Sequence, residues 1–541
     1  MNITRLSVDS AGNQGNQSPT FSSPSISADG RFVAFFSDAT NLVPGDTNNT
    51  IDIFVRDTLT NTTTRVSVNS EGNQGNSLSW RPSISGDGRF VVFSSDASNL
   101  VPGDTNNSRD IFVRDTLTNT TTRFSVDSAG AQANESSHDP SISADGRFVA
   151  FASDASNLVP GDTNSKDDIF VRDILTNTTT RVSVDSKGNQ VNASSSHSSI
   201  STDGRFVAFE SRASNLVPGD TNDNSDIFVR DTLTNTTTRV SVDSAGNQPN
   251  KGANNPSISA NGRFVAFDSY SSNLVPGDTN DNSDIFVRDT LTNTTTRVSV
   301  DSAGNQANYD CWGMSISADG RFVAFSSYSS NLVLRDTNNA SDVFVRDTLT
   351  NTTTRLSVGS EGNQANESSH APSISADGRI VVFDSEASNL VPEDTNNTWD
   401  VFATEIGRIP GFNTPNNNIN GTPRNNILSD ASGNNIINGV EGNGVLIGLR
   451  GNDILVGDRG GGNHVFVSDV AARFEIDTRA DLAQSQDTVQ LINGLTFGQL
   501  SISPRTQNPL IEVANSGEVL ASLIALLLIS LVLKISFRSR V

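Results

Sequence analysis

A 58-residue period, repeated seven times, predicts an all-β chain folded as a seven-bladed β-propeller. The Ser-Ile-Ser triplet begins at Ser25, Ser83, Ser141, Ser199, Ser257, Ser315 and Ser373, with no insertion or deletion between copies. A second landmark keeps the same step: the Phe of Asp-Ile/Val-Phe falls at Phe54, Phe112, Phe170, Phe228, Phe286, Phe344 and Phe402. A third, Thr-Arg-x-Ser-Val, occurs at Thr4–Val8 before the first full unit and last at Thr354–Val358; the final unit runs out without one.

Each unit reads as four strands separated by turn chemistry. Ser25-Ile26-Ser27 is the first. Asp29-Gly30 accepts positive φ and predicts a tight type I′ hairpin into the second strand, Arg31 to Phe36. The polar loop NLVPGDTNN leads to the third, Asp52 to Asp57, and TLTNTT turns the chain into the fourth, Thr64 to Val68. The unattached N-terminal strand is expected to complete the seventh blade. That clasp closes a ring over residues 1–406 and removes two open sheet edges. A solenoid is the rival for a long repeat, but its units usually hold one strand plus a helix or a few short parallel strands.

The run PSISADGRFVAF, a loop, then DIFVRDTLTNTTTRVSV resembles the TolB-type (WD40-like) propeller repeat over about three quarters of the chain. The resemblance implies a non-catalytic binding platform. Some members of that family carry an attached hydrolase domain, and no such domain is recognised here.

Composition narrows the function. Hydrophobic residues make up 34%, enough for blades that need only thin layers of Ile, Val and Phe, and the 28 Phe mark that core. A net charge of −23 repels phosphate backbones and argues against nucleic acid as a partner. The single Cys311 excludes an internal disulfide and is expected to be a packed thiol. MNITRLSVDS holds no apolar run of a secretory signal. Nothing in the pattern calls for a second copy, so a monomer is expected.

The loop between second and third strands repeats Asp-x-Asn-x-x-x-Asp. The copies are Asp46/Asn48/Asp52, Asp104/Asn106/Asp110, Asp162/Asn164/Asp168, Asp220/Asn222/Asp226, Asp278/Asn280/Asp284, Asp336/Asn338/Asp342 and Asp394/Asn396/Asp400. Oxygen side chains at positions 1, 3 and 7 resemble the start of a calcium loop and the Asp-rich loops of integrin-type propellers. The Gly and bidentate Glu of a full loop are missing. Two readings stand: a weak calcium site, with Kd of about 10⁻⁴ to 10⁻³ M, or an Asx-turn that shapes the connection.

The stretch before Ser-Ile-Ser behaves differently. It reads FSSP, SWRP, SHDP, SHSS, ANNP, CWGM and SHAP, and holds Trp80, His138, His197, Trp312 and His370. It reads as a variable loop between blades, on the same face as the Asp-x-Asn loops. Drift in a permissive loop is one account. A face that binds an unknown protein or polysaccharide is the other. A hydrolase or lyase using His138, His197 or His370 at the channel mouth is the alternative, and a purely structural surface protein a third. No Gly-x-Ser-x-Gly elbow is present, since Val358 precedes GSEG. The Asn-Thr-Thr of each TLTNTTT matches a glycosylation sequon, but an obligatory turn accounts for it.

After a Gly/Pro linker at 407–414, a nine-residue period runs over 415–468. It resembles the hemolysin-type (RTX) calcium-binding nonapeptide, which implies a short parallel β-roll and an extracellular or cell-surface bacterial protein. Only Gly451-Asn452-Asp453 keeps the motif's ligand, at Asp453; Asn417, Asn426, Asn435 and Gly444 replace it elsewhere, so the roll is degenerate. Residues 469–518 read as a β-rich cap. The apolar tail 519–541 is the one route to a membrane: extended to Phe537 it gives about 28 Å of helix, near a hydrocarbon core of about 30 Å. A replaced natural strand is the alternative.

Overall fold

A computed structural model describes residues 3–17 and 23–406, together with short strands between Asn418 and Leu523. The chain divides into two compact units, Met1–Ile406 and Gly407–Val541.

In the first unit each of seven blades is a four-stranded antiparallel sheet. The second blade shows the pattern: Ser79–Ile84, Phe90–Ser95, Asp110–Asp115 and Thr120–Arg123. The seventh takes three strands, Ser369–Ile374, Ile380–Ser385 and Asp400–Glu405, from the last repeat. Its fourth is Ile3–Arg5, antiparallel, with Ile3 opposite Thr404 and Arg5 opposite Phe402. The expected clasp is therefore present.

First strands of neighbouring blades touch, so they line the axis. The leading Ser of Ser-Ile-Ser serves this contact. Ile84 N–H donates to Ser25 Oγ of the previous blade (3.2 Å), and the same bond runs from Ile142, Ile200, Ile258, Ile316 and Ile374. The second Ser serves the turn, where Ser27 Oγ accepts from Phe32 N–H and donates to Asp29. That turn differs from the expected type I′ hairpin. Only Gly30 has positive φ (76°), and its N–H closes onto Ser27 O at 3.0 Å.

The cores lie between blades. Phe35 and Phe54 stack at 5.9 Å within the first blade, and equivalent pairs recur in the others. Each such Phe is fully buried, worth about 2 kcal/mol. The Arg of Phe-Val-Arg-Asp, present in six of the seven units, is buried but satisfied: Arg56 donates to Asn61 O (2.8 Å), Thr63 Oγ1 (3.1 Å) and, across the blade boundary, Asp9 O (3.1 Å). The fourth strand is shorter and earlier than expected, Thr62–Arg65. Val68 N–H folds back onto Val66 O (2.8 Å), because Ser67 has turned its hydroxyl to Asp52. Asn61, in the turn before it, sits at φ 57°, which Asn tolerates. Cys311 is the packed thiol expected: it is buried, with its Sγ 3.3 Å from Ser327 Oγ, and burial pushes its pKa up.

In the second unit Asn418–Asn420, Ile436–Asn438 and Ile454–Val456 pair in parallel, in the register of every second nonapeptide. Ile427–Ser429 and Val445–Gly448 do the same, and Val445–Gly448 also pairs in parallel with Val465–Ser468, where the step lengthens from 18 to 20 residues. Leu510–Val513 of the cap pairs antiparallel with Leu500–Ser503 and with Val519–Leu523, the first residues of the apolar tail, which here form a strand. Asp453, the other nonapeptide ligand positions and residues 524–541 lie outside the described residues. Among the described residues no helix is long and apolar enough to cross a membrane.

Candidate functional site

Strand direction sorts the ring into two ends. At one lie the turns between first and second strands and between third and fourth. These are nearly identical in every copy, with Gly86, Thr202 and Asn261 the departures in SADGR. At the other lie the Asp-x-Asn loops, the connections between blades, and the starts of the first and third strands.

The Asp-x-Asn loops are organised by an arginine. Arg65 of the fourth strand places Nη1 3.1 Å from Asp46 and 3.6 Å from Asp52. The same bridge recurs in every other blade. Arg123 joins Asp104 and Asp110, Arg181 joins Asp162 and Asp168, and Arg239 joins Asp220 and Asp226. Arg297 joins Asp278 and Asp284, Arg355 joins Asp336 and Asp342, and Arg5 joins Asp394 and Asp400.

The asparagine between each pair of carboxylates is also committed. Asn48 turns its amide nitrogen to Asp52 (3.0 Å) and Gly75 O (3.0 Å), while its oxygen accepts from Thr50 N–H, an Asx-turn. Asn106 does the same with Asp110, Ala133 O and Ser108 N–H, and Asn164 with Asp168, Val191 O and Lys166 N–H. Asn222 bonds Asp226, Pro249 O and Asn224 N–H, and Asn280 bonds Asp284, Ala307 O and Asn282 N–H. Asn338 bonds Asp342, Ala365 O and Ala340 N–H, and Asn396 bonds Asp400, Gly15 O and Thr398 N–H.

Of the two readings of these loops, the Asx-turn is the one this geometry favours. A guanidinium occupies the place between the carboxylates. Asn48, Asn106, Asn164, Asn222, Asn280, Asn338 and Asn396 each present a donor there, and their oxygens are spent on the turn. The set does not fit a calcium ion, which needs oxygen acceptors on all sides. Among the described residues no three His, Cys, Asp or Glu side chains form a metal-ligand group. Burial lifts the inner carboxylates, Asp110, Asp284, Asp342 and Asp400 to about 6.

The variable residues are not in a loop, as the sequence reading had it. They belong to the first strand itself, at its mouth end, around a β-bulge that shifts register between Trp80 and Ser83 and at equivalent sites. Trp80, His138, Trp312 and His370 share one repeat position. His197 stands one residue later, at the bulge, where Arg81, Asp139, Asn255 and Ala371 also take positive φ of 48–52°. Left-handed φ costs a non-glycine residue about 1 kcal/mol, and such strain gathers at functional sites.

Two clusters result. Across the second to fourth blades runs an ionic network. Arg81 pairs with Asp139 (2.6 Å), which also meets His138 (3.1 Å) and His197 (3.9 Å). His138 reaches Asp167 at 3.7 Å, and His197 Nδ1 reaches Glu210 at 3.2 Å. Hydrogen bonds to Asp139 and Asp167 raise the His138 pKa to about 9. Burial pushes the Asp139 carboxyl up, but His138 and the neighbouring cations outweigh it and hold it at about 2. Across the sixth and seventh blades lies an aromatic cluster. Trp312 packs against Tyr328 (5.2 Å) and His370 (5.7 Å), and His370 stacks on Trp399 (5.2 Å). Burial lowers the His370 pKa to about 4, so it is neutral. Trp80 stands apart, under the Arg109 guanidinium at 4.0 Å.

The sequence reading missed Arg81, Arg109, Asp139, Asp167, Glu210, Asp268, Tyr328 and Trp399. Each departs from the repeat as the residues found do: Arg81 and Asp139 beside them on the first strand, Glu210 and Asp268 on the second, Tyr328 just past it, and Arg109, Asp167 and Trp399 just before the third. All three Tyr and all three Trp of the chain (80, 270, 309, 312, 328 and 399) lie at this end. Tyr270, Tyr309 and Tyr328 are 44, 58 and 46% exposed.

His197 does not stand as the base of a nucleophile–base–acid relay. Ser196 Oγ and Glu210 Oε2 both approach Nδ1 of His197, at 3.2 Å each, whereas a relay places nucleophile and acid on opposite ring nitrogens.

No protein-family model matches the chain, and no curated protein matches it. Among solved structures it is similar to TolB from Acinetobacter baumannii, at 16% identity over 58% of this chain and 61% of that one (TM-score 0.34). It is also similar to a putative TolB from Agrobacterium tumefaciens, at 14% over 64% and 95% (TM-score 0.35). A third is the propeller domain of the Trilobed protease from Pyrococcus furiosus, at 10% over 72% and 95% (TM-score 0.43). The chain thus spans 61% of the Acinetobacter protein's length. The functional reading rests on the rim itself.

Proposed function

We propose that the chain is a non-catalytic binding platform, extracellular or on the cell surface, whose ligand is held at the variable rim. One observation carries this: among seven near-identical units, single-copy residues and every Tyr and Trp gather at one end of the ring. Concentrated aromatic and charged residues on a rigid scaffold are what recognition surfaces use. Calcium enters the reading only through the nonapeptide segment and Asp453, on sequence alone.

The test is a glycan and peptide array probed with the full chain. W312A/Y328A is expected to lose the bound spots, while L59A/L117A, at the opposite end, keeps them. Binding lost in the second variant and kept in the first would sink the proposal. A thermal melt with EGTA and with millimolar calcium tests the metal. A shift confined to the second unit's transition supports Asp453, and a shift of the propeller would reopen the Asp-x-Asn loops.

A further inference from the structure

We propose that the rim between the third and fourth blades holds a site for the anionic group of an acidic polysaccharide, a carboxylate or a sulfate. This deepens the platform reading and rests on it. A cavity of about 440 Å³ opens there, lined by Lys166, Ser194, Ser196, Glu210, Arg212 and Ser225. That volume lies within the range of about 300–1,000 Å³ common for ligand pockets.

The repeat makes the two cations informative. Arg212 follows the second strand of the fourth blade, where the three preceding blades carry Asp38, Asp96 and Asp154 and the seventh carries Glu386. A carboxylate position has become a guanidinium in one blade only. Lys166 precedes the third strand of the neighbouring blade, at the position of Thr50 and Ser108. Two single-copy changes on different blades thus bring positive charge to one cavity. Neither cation has an ion-pair partner among the described residues, whereas Arg81 and Arg109 on the same rim are paired. The one carboxylate in the lining is engaged: Glu210 accepts from Ser225 Oγ (2.8 Å) and meets His197 (3.2 Å). At physiological salt the repulsion from the acidic remainder of the chain is screened beyond about 8 Å. A planar guanidinium and an ammonium then suit an oxyanion at contact.

The surroundings favour a sugar over a peptide. Three serine hydroxyls line the cavity, with Ala193 its one apolar side chain, so it offers hydroxyl-matching groups and little to hold a peptide's apolar side chain. Tyr270 and Tyr328 occupy the Arg212 position on the next two blades, half exposed. A polymer crossing the rim would meet the cationic cavity and then two flat aromatic faces, which stack on pyranose rings.

The experiment titrates the full chain with tetragalacturonate, its methyl ester, a sulfated dextran oligomer and hexaglutamate. Parent protein is expected to bind the tetragalacturonate or the sulfated dextran, and to bind the ester and the peptide at least about tenfold more weakly. R212D and K166T restore the residues of sibling blades, so folding is retained and a melt confirms it. Each is expected to weaken the anionic glycan about tenfold. No binding of either anionic glycan, equal binding by R212D, or equal binding of hexaglutamate would each overturn the proposal. Anionic glycan bound no more tightly than its ester, lost in W312A/Y328A and kept in R212D, would remove the anion site yet keep the platform.

Discussion

The two ends of the ring are built from the same repeat and do opposite things. At the turn end, neighbouring blades touch through backbone. Ala28 N–H donates to Gly86 O and Gly86 N–H to Ala144 O, both at 2.9 Å, and Ala376 N–H returns to Ala28 O at 3.1 Å, joining the last blade to the first. Gly88 has φ 75°, and a Cβ there would stand 2.1 Å from Phe32 of the previous blade. Such contacts leave almost no side chain free to vary. At the mouth end the outer loops are fixed by their arginines, but the inner rim is packed by side chains rather than by backbone, and there the copies diverge. A repeat protein can thus hold its closure at one end and change its recognition surface at the other.

The largest effect should come from the clasped loops. R65M leaves Asp46 and Asp52 without their cation, and losing one partner of a buried pair costs about 3–5 kcal/mol. Its melting midpoint should fall sharply at pH 7 and less at pH 5, where the carboxylates take up protons; a midpoint equal to the parent's would mean the arginines do not hold this end. Next comes the contrast between glycines. G88A meets both positive φ and Phe32 and should cost about 3 kcal/mol. G103A, at φ 76° with nothing within 4 Å, should cost about 1 kcal/mol. Similar losses in urea unfolding would remove the distinction between a packed and an open end.

The pH profile gives a smaller signal. Asp110, Asp284, Asp342 and Asp400 have native pKa values near 6 against about 3.9 unfolded. The fold then binds more protons than the open chain between those values, so stability rises as pH falls from 7 towards 4. Asp173, Asp231 and Asp289, held at about 2 chiefly by Arg147, Arg205 and Arg263, contribute above about 3.9 and lose that contribution as pH falls through 2. His138 contributes below about 6.5 and loses its contribution as pH rises through 9. The melting midpoint should therefore peak at about pH 4–5, and a peak at pH 7–8 would contradict these burials. Smallest of all, Y328A at the half-exposed rim should move stability by no more than about 0.5 kcal/mol. A loss of several kcal/mol would make the aromatic cluster part of the framework.

Most of the fold was legible because the repeat states it seven times. The blade count, the strand order and the N-terminal clasp all follow from where Ser-Ile-Ser, Asp-x-Phe and Thr-Arg-x-Ser-Val fall. The site was legible in part. Trp80, His138, His197, Trp312 and His370 stood out against identical neighbours, yet they read as loop residues because the bulge that carries them leaves no mark in a hydrophobic pattern. Glu210 and Trp399 are 13 and 29 residues beyond the histidines they meet, and no local spacing relates them. The Asp-x-Asn loops left two readings open for the same reason: their cation, Arg65, lies 13 residues past Asp52 on another strand.

The amino-acid sequence by itself determined the period, the turns and the composition of each blade, since these are local and repeated. Only the tertiary structure decided which charges meet. Antiparallel pairing brings the end of one strand beside the start of another, and ring closure sets each blade's rim against its neighbour's. Coulombic and aromatic contacts depend on those distances through space, and so the arginine between two aspartates, and the lysine and arginine around one cavity, became visible only in the folded ring.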